Sequence, residues 1–153
     1  MSKQKAYAII ADKKYLLVGS GGKVSGKERQ GKHLPGGTQD RKETEVKCAV
    51  RETFEETGIK LDEKKASQTV ILEKGDPKKS VTKITFILFE VGDVNELIAG
   101  REEKERKGED QPFKDVGNIE RKDCWLDKGF DEKYGTDWFK EGLELMFNHQ
   151  GLL

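Results

Sequence analysis

The run Ile84-Thr-Phe-Ile-Leu-Phe-Glu-Val91 constrains this chain more than any other segment. Its near-continuous hydrophobicity is that of a strand covered on both faces, since a strand with one face in water alternates apolar and polar residues. It is the best candidate for a central strand. Two shorter β-like runs open the chain, Ala6 to Ala11 and Lys14 to Val18, and Asp12-Lys13 between them reads as the turn of an antiparallel hairpin. A further strand is expected from Thr69 to Leu72.

Two segments carry the helical period instead. Between Glu43 and Thr57, Val46, Ala49, Val50, Phe54 and the half-apolar Thr53 and Thr57 recur at spacings of three and four, and Gly58 is a natural stop. From Asp137 to Asn148, Phe139, Leu143, Met146 and Phe147 form an ordinary core stripe. Gly19 to Lys32 has no apolar period and reads as an exposed loop, Leu34-Pro35-Gly36-Gly37 as a turn, and Arg101 to Asp110 as a solvated charged loop. The length of 153 residues fits one domain over residues 1–153, without repeats, heptads or linkers.

Charge excludes some functions. Lys plus Arg and Asp plus Glu both number 29, so no general attraction to nucleic acid or to an anionic membrane is expected. No apolar run approaches a membrane span or a signal-peptide core, which makes the cytoplasm the expected location. Cys48 and Cys124 with the distant His33 and His149 do not have zinc-site spacing, and a disulfide is not expected in a reducing compartment. Gly21 to Lys27 reads G-x-x-x-x-G-K, but Glu28 stands where a phosphate-binding loop needs Ser or Thr. Trp125, Trp138 and Phe130 are expected in the core.

The chemistry gathers on the first helix. At about 100° per residue, Glu52, Glu55 and Glu56 share one face, Glu45 lies one turn back, and Val46, Val50, Thr53, Phe54 and Thr57 fill the opposite half. Like charges at this spacing destabilise an isolated helix. No Lys stands three or four residues from Glu52 or Glu56 within the helix to relieve them. A hard divalent cation would do so, since Mg²⁺ binds through a few carboxylates and takes further ligands from water and substrate phosphates. A solvated acidic face is the plainer alternative.

The order of residues around the cluster decides between the two. Gly37, five residues, Glu43, seven residues and Arg51-Glu52-Thr53-Phe54-Glu55-Glu56-Thr57-Gly58-Ile59 resemble the Nudix box. Thr53 replaces the usual aliphatic residue and Lys42 a frequent glycine. The resemblance implies an α/β fold, the Nudix α/β/α sandwich with a small mixed sheet between helices. It implies a Mg²⁺-dependent hydrolase, with Mn²⁺ able to substitute, that cleaves diphosphate linkages in nucleotides or nucleotide conjugates by a metal-activated water. Glu52, Glu55, Glu56 and the Gly37 carbonyl would hold the metal. Glu52 is the first choice of general base, before Glu103, Glu105 or Glu109 of the charged loop. Arg51 would orient the glutamates, although it also fits an ordinary pair with Glu55 one turn on. Glu43 would support the helix N-terminus. Gly36, Gly37, Lys27 and Lys32 are expected beside the substrate, with Lys23 and Arg29 as further cations for its phosphates, and Cys48 is expected to be a bystander. Family subgroup signatures are missing after the box, which leaves nucleoside triphosphate clean-up as the favoured substrate class. A non-catalytic nucleotide-binding module is the alternative, an interaction domain working through its charged loops a third, and a homodimer is left open.

Overall fold

The computed structural model describes residues 3–24, 26–103, 112–130 and 138–148. The opening hairpin is present. Strand β1 (Lys3–Ala11) meets β2 (Tyr15–Ser20) antiparallel at Ala11 and Leu16. The turn is closed by the Asp12 carboxylate, which accepts from the Lys14 and Tyr15 N–H groups at 2.8 and 2.6 Å. That use of a short acidic side chain in place of a backbone acceptor is what favours Asp in turns.

Strands β1 and β2 then diverge, and the space beside the first half of β1 is taken by another segment. The hairpin of β3 (Lys23–Val24) and β4 (Lys27–Glu28) lies within the segment expected to be only loop, and β5 (Gly36–Thr38) pairs antiparallel with Lys5 to Tyr7. Leu34 to Gly37 is therefore the entry to a strand as well as a turn. Glycine is required there by close approach, because a Cβ on Gly36 would lie 2.3 Å from the Ala6 carbonyl oxygen. The Pro35 carbonyl accepts from the Ala8 N–H at 2.8 Å, so the turn is held to β1 on both sides of the glycine.

Helix α1 (Glu45–Thr57) follows, with the Thr44 hydroxyl accepting from the Lys47 N–H and Gly58 closing the far end at φ 80°. Strands β6 (Ala66–Asp76) and β7 (Ser80–Glu90) form a long antiparallel hairpin, and β7 runs parallel to β1. The six-stranded mixed sheet has the order β6-β7-β1-β2, then β8 (Asp115–Glu120), with β5 on the edge of β1. Helix α2 (Val94–Ala99) and β8 had no strong apolar period and were not expected. The first is started by Asp93, whose carboxylate accepts from the Glu96 N–H. The second is an edge strand in which Val116 and Ile119 are only partly buried. Strand β6 is longer than Thr69 to Leu72 because it is the opposite edge and alternates between half-buried and exposed residues.

Both faces of the sheet are covered. On one, Tyr7, Ile9, Leu16, Ile84, Phe86 and Leu88 pack against Phe139, Leu143 and Met146, from α3 (Trp138–Leu143) and the wider π-type turn that continues it over Glu144–Asn148. On the other, Ala6, Ala8, Ile10, Leu17, Ile87 and Phe89 pack against Cys48, Ala49, Ile59 and Val94. The Ile84 to Phe89 run is thus buried on both sides as its composition demanded, and β1 shares the centre with it. Asp137, expected to start the last helix, lies outside the described residues. Phe130 is in the core, with Trp125 and Trp138 packed against it. Cys48 and Cys124 are both buried and unbridged. Among the described residues no helix is long and apolar enough to cross a membrane.

Candidate active site

The buried stripe of α1 only partly follows the apolar periodicity: Ala49, Thr53 and Thr57 are buried as expected, but the stripe is rotated toward the glutamates. Cys48, Ala49, Glu52, Thr53, Glu56 and Thr57 face inward, while Val46, Val50 and Phe54 are only half-buried. Two of the three box glutamates therefore point into the molecule, against the turn that leads into β5. The glycines of that turn permit the approach: a Cβ on Gly37 would lie 2.8 Å from the Glu52 carboxyl carbon.

Buried carboxylates need compensation, and each finds a donor. One Glu56 oxygen accepts from the Gly36 N–H at 2.7 Å and the other from Arg29 Nη2 at 2.9 Å. The Glu56–Arg29 pair is sealed from solvent, with side chains 6% and 1% exposed. Arg29 is thereby removed from the set of loop cations expected to face substrate. Its burial was not legible from the sequence, because it stands in a polar run without period and its partner is 27 residues away.

A second arginine organises the outer end of the cluster. Arg51 donates from Nε and Nη2 to the two Glu43 oxygens at 2.7 and 2.9 Å, from Nη1 to Glu52 at 3.0 Å and to Glu55 at 3.3 Å, and from Nη2 to the Thr38 carbonyl at 3.2 Å. The expected pair with Glu55 is present, but the strongest geometry is the forked contact with Glu43. That hydrogen bond, with the neighbouring carboxylate charges, raises the Arg51 pKa against the effect of burial. The same bond holds the Glu43 carboxyl below its ordinary range, outweighing burial, and the Asp40 N–H adds to it. Glu43 precedes the helix and ties the β5–α1 connection to it.

The remaining candidates are more scattered. Lys27 and Lys23 are exposed on the β3–β4 hairpin. Lys32 engages both Asp127 oxygens at 2.9 Å and joins the 124–130 segment to the strand entry. Burial drives the Cys48 thiol up to about 12, helped by the Glu43 and Glu52 charges, so it stays protonated beside the Gly37 carbonyl. Glu103 is exposed and pairs with Arg101 at 3.3 Å. Glu105 and Glu109 lie outside the described residues. The chain on both sides of them is fixed to the end of α1, through Glu102 N–H to the Gly58 carbonyl and Phe113 N–H to the Glu56 carbonyl, both at 3.0 Å.

Among the described residues no group of three or more His, Cys, Asp or Glu side chains already stands in metal-holding geometry. The donor chemistry nevertheless fits a hard cation. Glu52, Glu55 and Glu56 offer carboxylate oxygens, Gly37 offers a carbonyl next to Glu52 where any side chain would intrude, and the one sulfur nearby is a neutral thiol. Each carboxylate oxygen can accept more than one partner, so the contacts of Glu56 do not remove it from this set.

The sequence profile of the NUDIX domain matches residues 1–128. The chain belongs to the Nudix family. It is accordingly a Nudix hydrolase, a pyrophosphohydrolase acting on nucleotide derivatives, and enzymes of this family generally depend on a divalent metal. Solved structures agree on the fold. A MutT protein from Methanosarcina mazei Go1 superposes with a TM-score of 0.66 at 14% identity, over 97% of this chain and 95% of that one. A MutT Nudix hydrolase from Burkholderia pseudomallei gives 0.61 at 17% identity, over 93% and 98%. A bifunctional NMN adenylyltransferase/ADP ribose pyrophosphatase from Francisella tularensis, complexed with AMP and a manganese ion, gives 0.57 at 17% identity, over 95% of this chain and 42% of that one. No curated protein matches the sequence. In this Nudix hydrolase the box spans the β5 turn and α1; its Glu43, Arg51, Glu52 and Glu55 form one hydrogen-bonded group, and Glu56 stands beside it with Arg29 and the Gly36 N–H.

Proposed function

We propose that this Nudix hydrolase, as a single domain over residues 1–153, cleaves the diphosphate linkage of nucleoside di- or triphosphates or of nucleotide conjugates, with Mg²⁺ or Mn²⁺ as cofactor. The observation that carries the reading is that Glu52 and Glu56 are turned toward Gly37 and Gly36, with Glu55 tied to Glu52 through Arg51 and Glu56 held by Arg29. A brace of this kind is more than a solvated acidic face would need. The Francisella relative, solved with AMP and manganese, supports a nucleotide and a divalent cation as the ligands.

In this reading Glu52, Glu55, Glu56 and the Gly37 carbonyl hold the cation. When bound, a divalent cation lowers the pKa of a coordinated water and neutralises charge developing on the departing phosphate oxygen. Glu52 accepts the proton from the attacking water. Arg51 fixes Glu52 and Glu55 relative to each other through one shared nitrogen. The backbone at Gly36 and Gly37 gives phosphate oxygens close access, and Lys27 lies on the flanking hairpin as a cation for them. Lys32 is proposed to contribute with part of its charge directed to Asp127. Nucleoside triphosphates are the favoured class. The test is a panel of nucleoside triphosphates, dinucleoside polyphosphates, ADP-ribose and other conjugates, assayed for phosphate-containing products with and without Mg²⁺. Binding without turnover of any member would turn the reading toward a nucleotide-binding module.

A further inference from the structure

We propose that Arg29 is a positioning residue for Glu56, holding that carboxylate in the orientation the hydrolytic site uses; the proposal rests on the metal-binding reading of Glu56 given above. Arg29 has the composition context of a phosphate-binding cation, since Lys23, Lys27 and Lys32 surround it in sequence. Its location is the opposite of theirs. The side chain is 1% exposed, and its guanidinium is fixed from several directions. Nη2 donates to Glu56 at 2.9 Å, Nη1 donates to the Gly21 carbonyl at 2.9 Å, and the ring of Phe113 lies 4.7 Å from the guanidinium carbon.

The surroundings are shaped for this group. A Cβ on Gly22 would lie 2.6 Å from Arg29 Nη1 and 2.2 Å from the Pro112 carbonyl oxygen, and a Cβ on Gly19 would lie 2.1 Å from the Phe113 ring. The Arg29 N–H also bonds to the Gly22 carbonyl at 2.9 Å, and the Phe113 N–H to that of Glu56 at 3.0 Å. Glycines, aromatic ring and guanidinium thus interlock around one carboxylate. A buried ion pair is seldom the most stable way to fill such a space, because apolar residues of equal volume often do as well. What a planar fork adds is direction. With Gly36 N–H on one oxygen and Arg29 on the other, Glu56 is held at both ends. Lysine has a single, freely turning ammonium and cannot reproduce that geometry.

The test compares the parent with Arg29→Met and Arg29→Lys. Thermal unfolding is followed against Mg²⁺ or Mn²⁺ alone, without substrate, and kcat and KM are measured on whichever nucleotide the parent turns over. Loss of a group that orients a metal ligand typically costs about 10- to 100-fold in metal affinity or activity. Arg29→Met is therefore expected to raise the divalent midpoint about tenfold or more and lower kcat about tenfold or more, with KM for substrate within about threefold of the parent. Arg29→Lys should fall between. A raised KM with unchanged kcat would make Arg29 a substrate contact instead. A lower Tm with parental divalent midpoint and kcat per folded molecule would make it merely structural, and either result overturns the proposal. If Arg29→Met does not fold, Arg29→Lys and Phe113→Leu carry the same comparison. A parent that neither turns over substrate with divalent cation nor gains Tm from it would overturn the site reading itself, whereas a responsive parent with unaltered variants removes only Arg29.

Discussion

Glu56 shows how burial can reverse a conclusion drawn from charge spacing. Counted along the helix alone, Glu52, Glu55 and Glu56 repel, so neutralising one of them should help the metal-free protein. In the structure Glu56 is the counter-charge of a buried arginine. Glu56→Gln is therefore expected to destabilise the metal-free protein by about 2–4 kcal/mol, at or below the usual cost of breaking a buried pair because the amide still accepts one bond. A melting temperature equal to or above the parent's would show that the Arg29 contact contributes nothing. Gly37 gives the complementary case. The three atoms nearest an added methyl all belong to the Glu52 carboxylate, at 2.8–3.0 Å, the end of a side chain that can shift. Gly37→Ala should leave the melting temperature within a few degrees of the parent's and reduce kcat by roughly 100-fold, the loss that a displacement of about 1 Å can cause in a reacting group. Equal kcat in parent and variant would place the Glu52 carboxylate outside the chemistry.

Helix α1 was legible from its spacing, its glycine stop and the residues of the box, yet its orientation was not. Apolar periodicity chose Val46, Ala49, Val50, Thr53, Phe54 and Thr57 as the inner face; Ala49, Thr53 and Thr57 are buried, but the helix turns Cys48, Glu52 and Glu56 inward in place of Val46, Val50 and Phe54. Small residues in β5 and a distant arginine make that orientation favourable, and neither leaves a local period. Elements α2 and β8 escaped for a related reason: a six-residue helix and an edge strand bury too little to show a pattern. The start of α1 offers a test by acid. Hydrogen bonds from Arg51 hold the folded pKa of Glu43 below its ordinary value of 4.5. A depressed carboxylate stabilises the fold above its unfolded pKa, and that contribution is lost as pH falls through the folded value. The parent's melting temperature should accordingly drop as the pH falls below the ordinary Glu43 value of 4.5. Glu43→Gln should start lower at neutral pH and drop less steeply; parallel curves for the two proteins would assign the acid transition to other groups.

At the scale of the whole molecule, the two halves of the site come from different parts of the chain. The turn into β5 is carried on the edge of β1, and α1 packs over β1 and β7 on one face of the sheet. A ligand that joins Gly37 to the helix glutamates must therefore link the turn to the helix, and its binding energy becomes folding energy, since the unfolded chain has no such site. At a free cation concentration about 100 times Kd, mass action adds about 2.7 kcal/mol. For a chain of this size that corresponds to a rise in Tm of roughly 5–10 °C. The same rise should be cancelled by excess chelator. Glu52→Gln and Glu55→Gln each remove one proposed ligand without removing the buried partner of Arg29, so their metal-free stability should change little while the cation-induced rise shrinks. Calcium is a useful comparison, because its longer bonds and higher coordination number suit this small donor set less well than magnesium. The measurement is thermal unfolding of parent and both variants against Mg²⁺, Mn²⁺ and Ca²⁺. Equal shifts in all three proteins would mean that the cation binds elsewhere, and the helix glutamates would then owe their arrangement to Arg29, Arg51 and the Gly36 N–H.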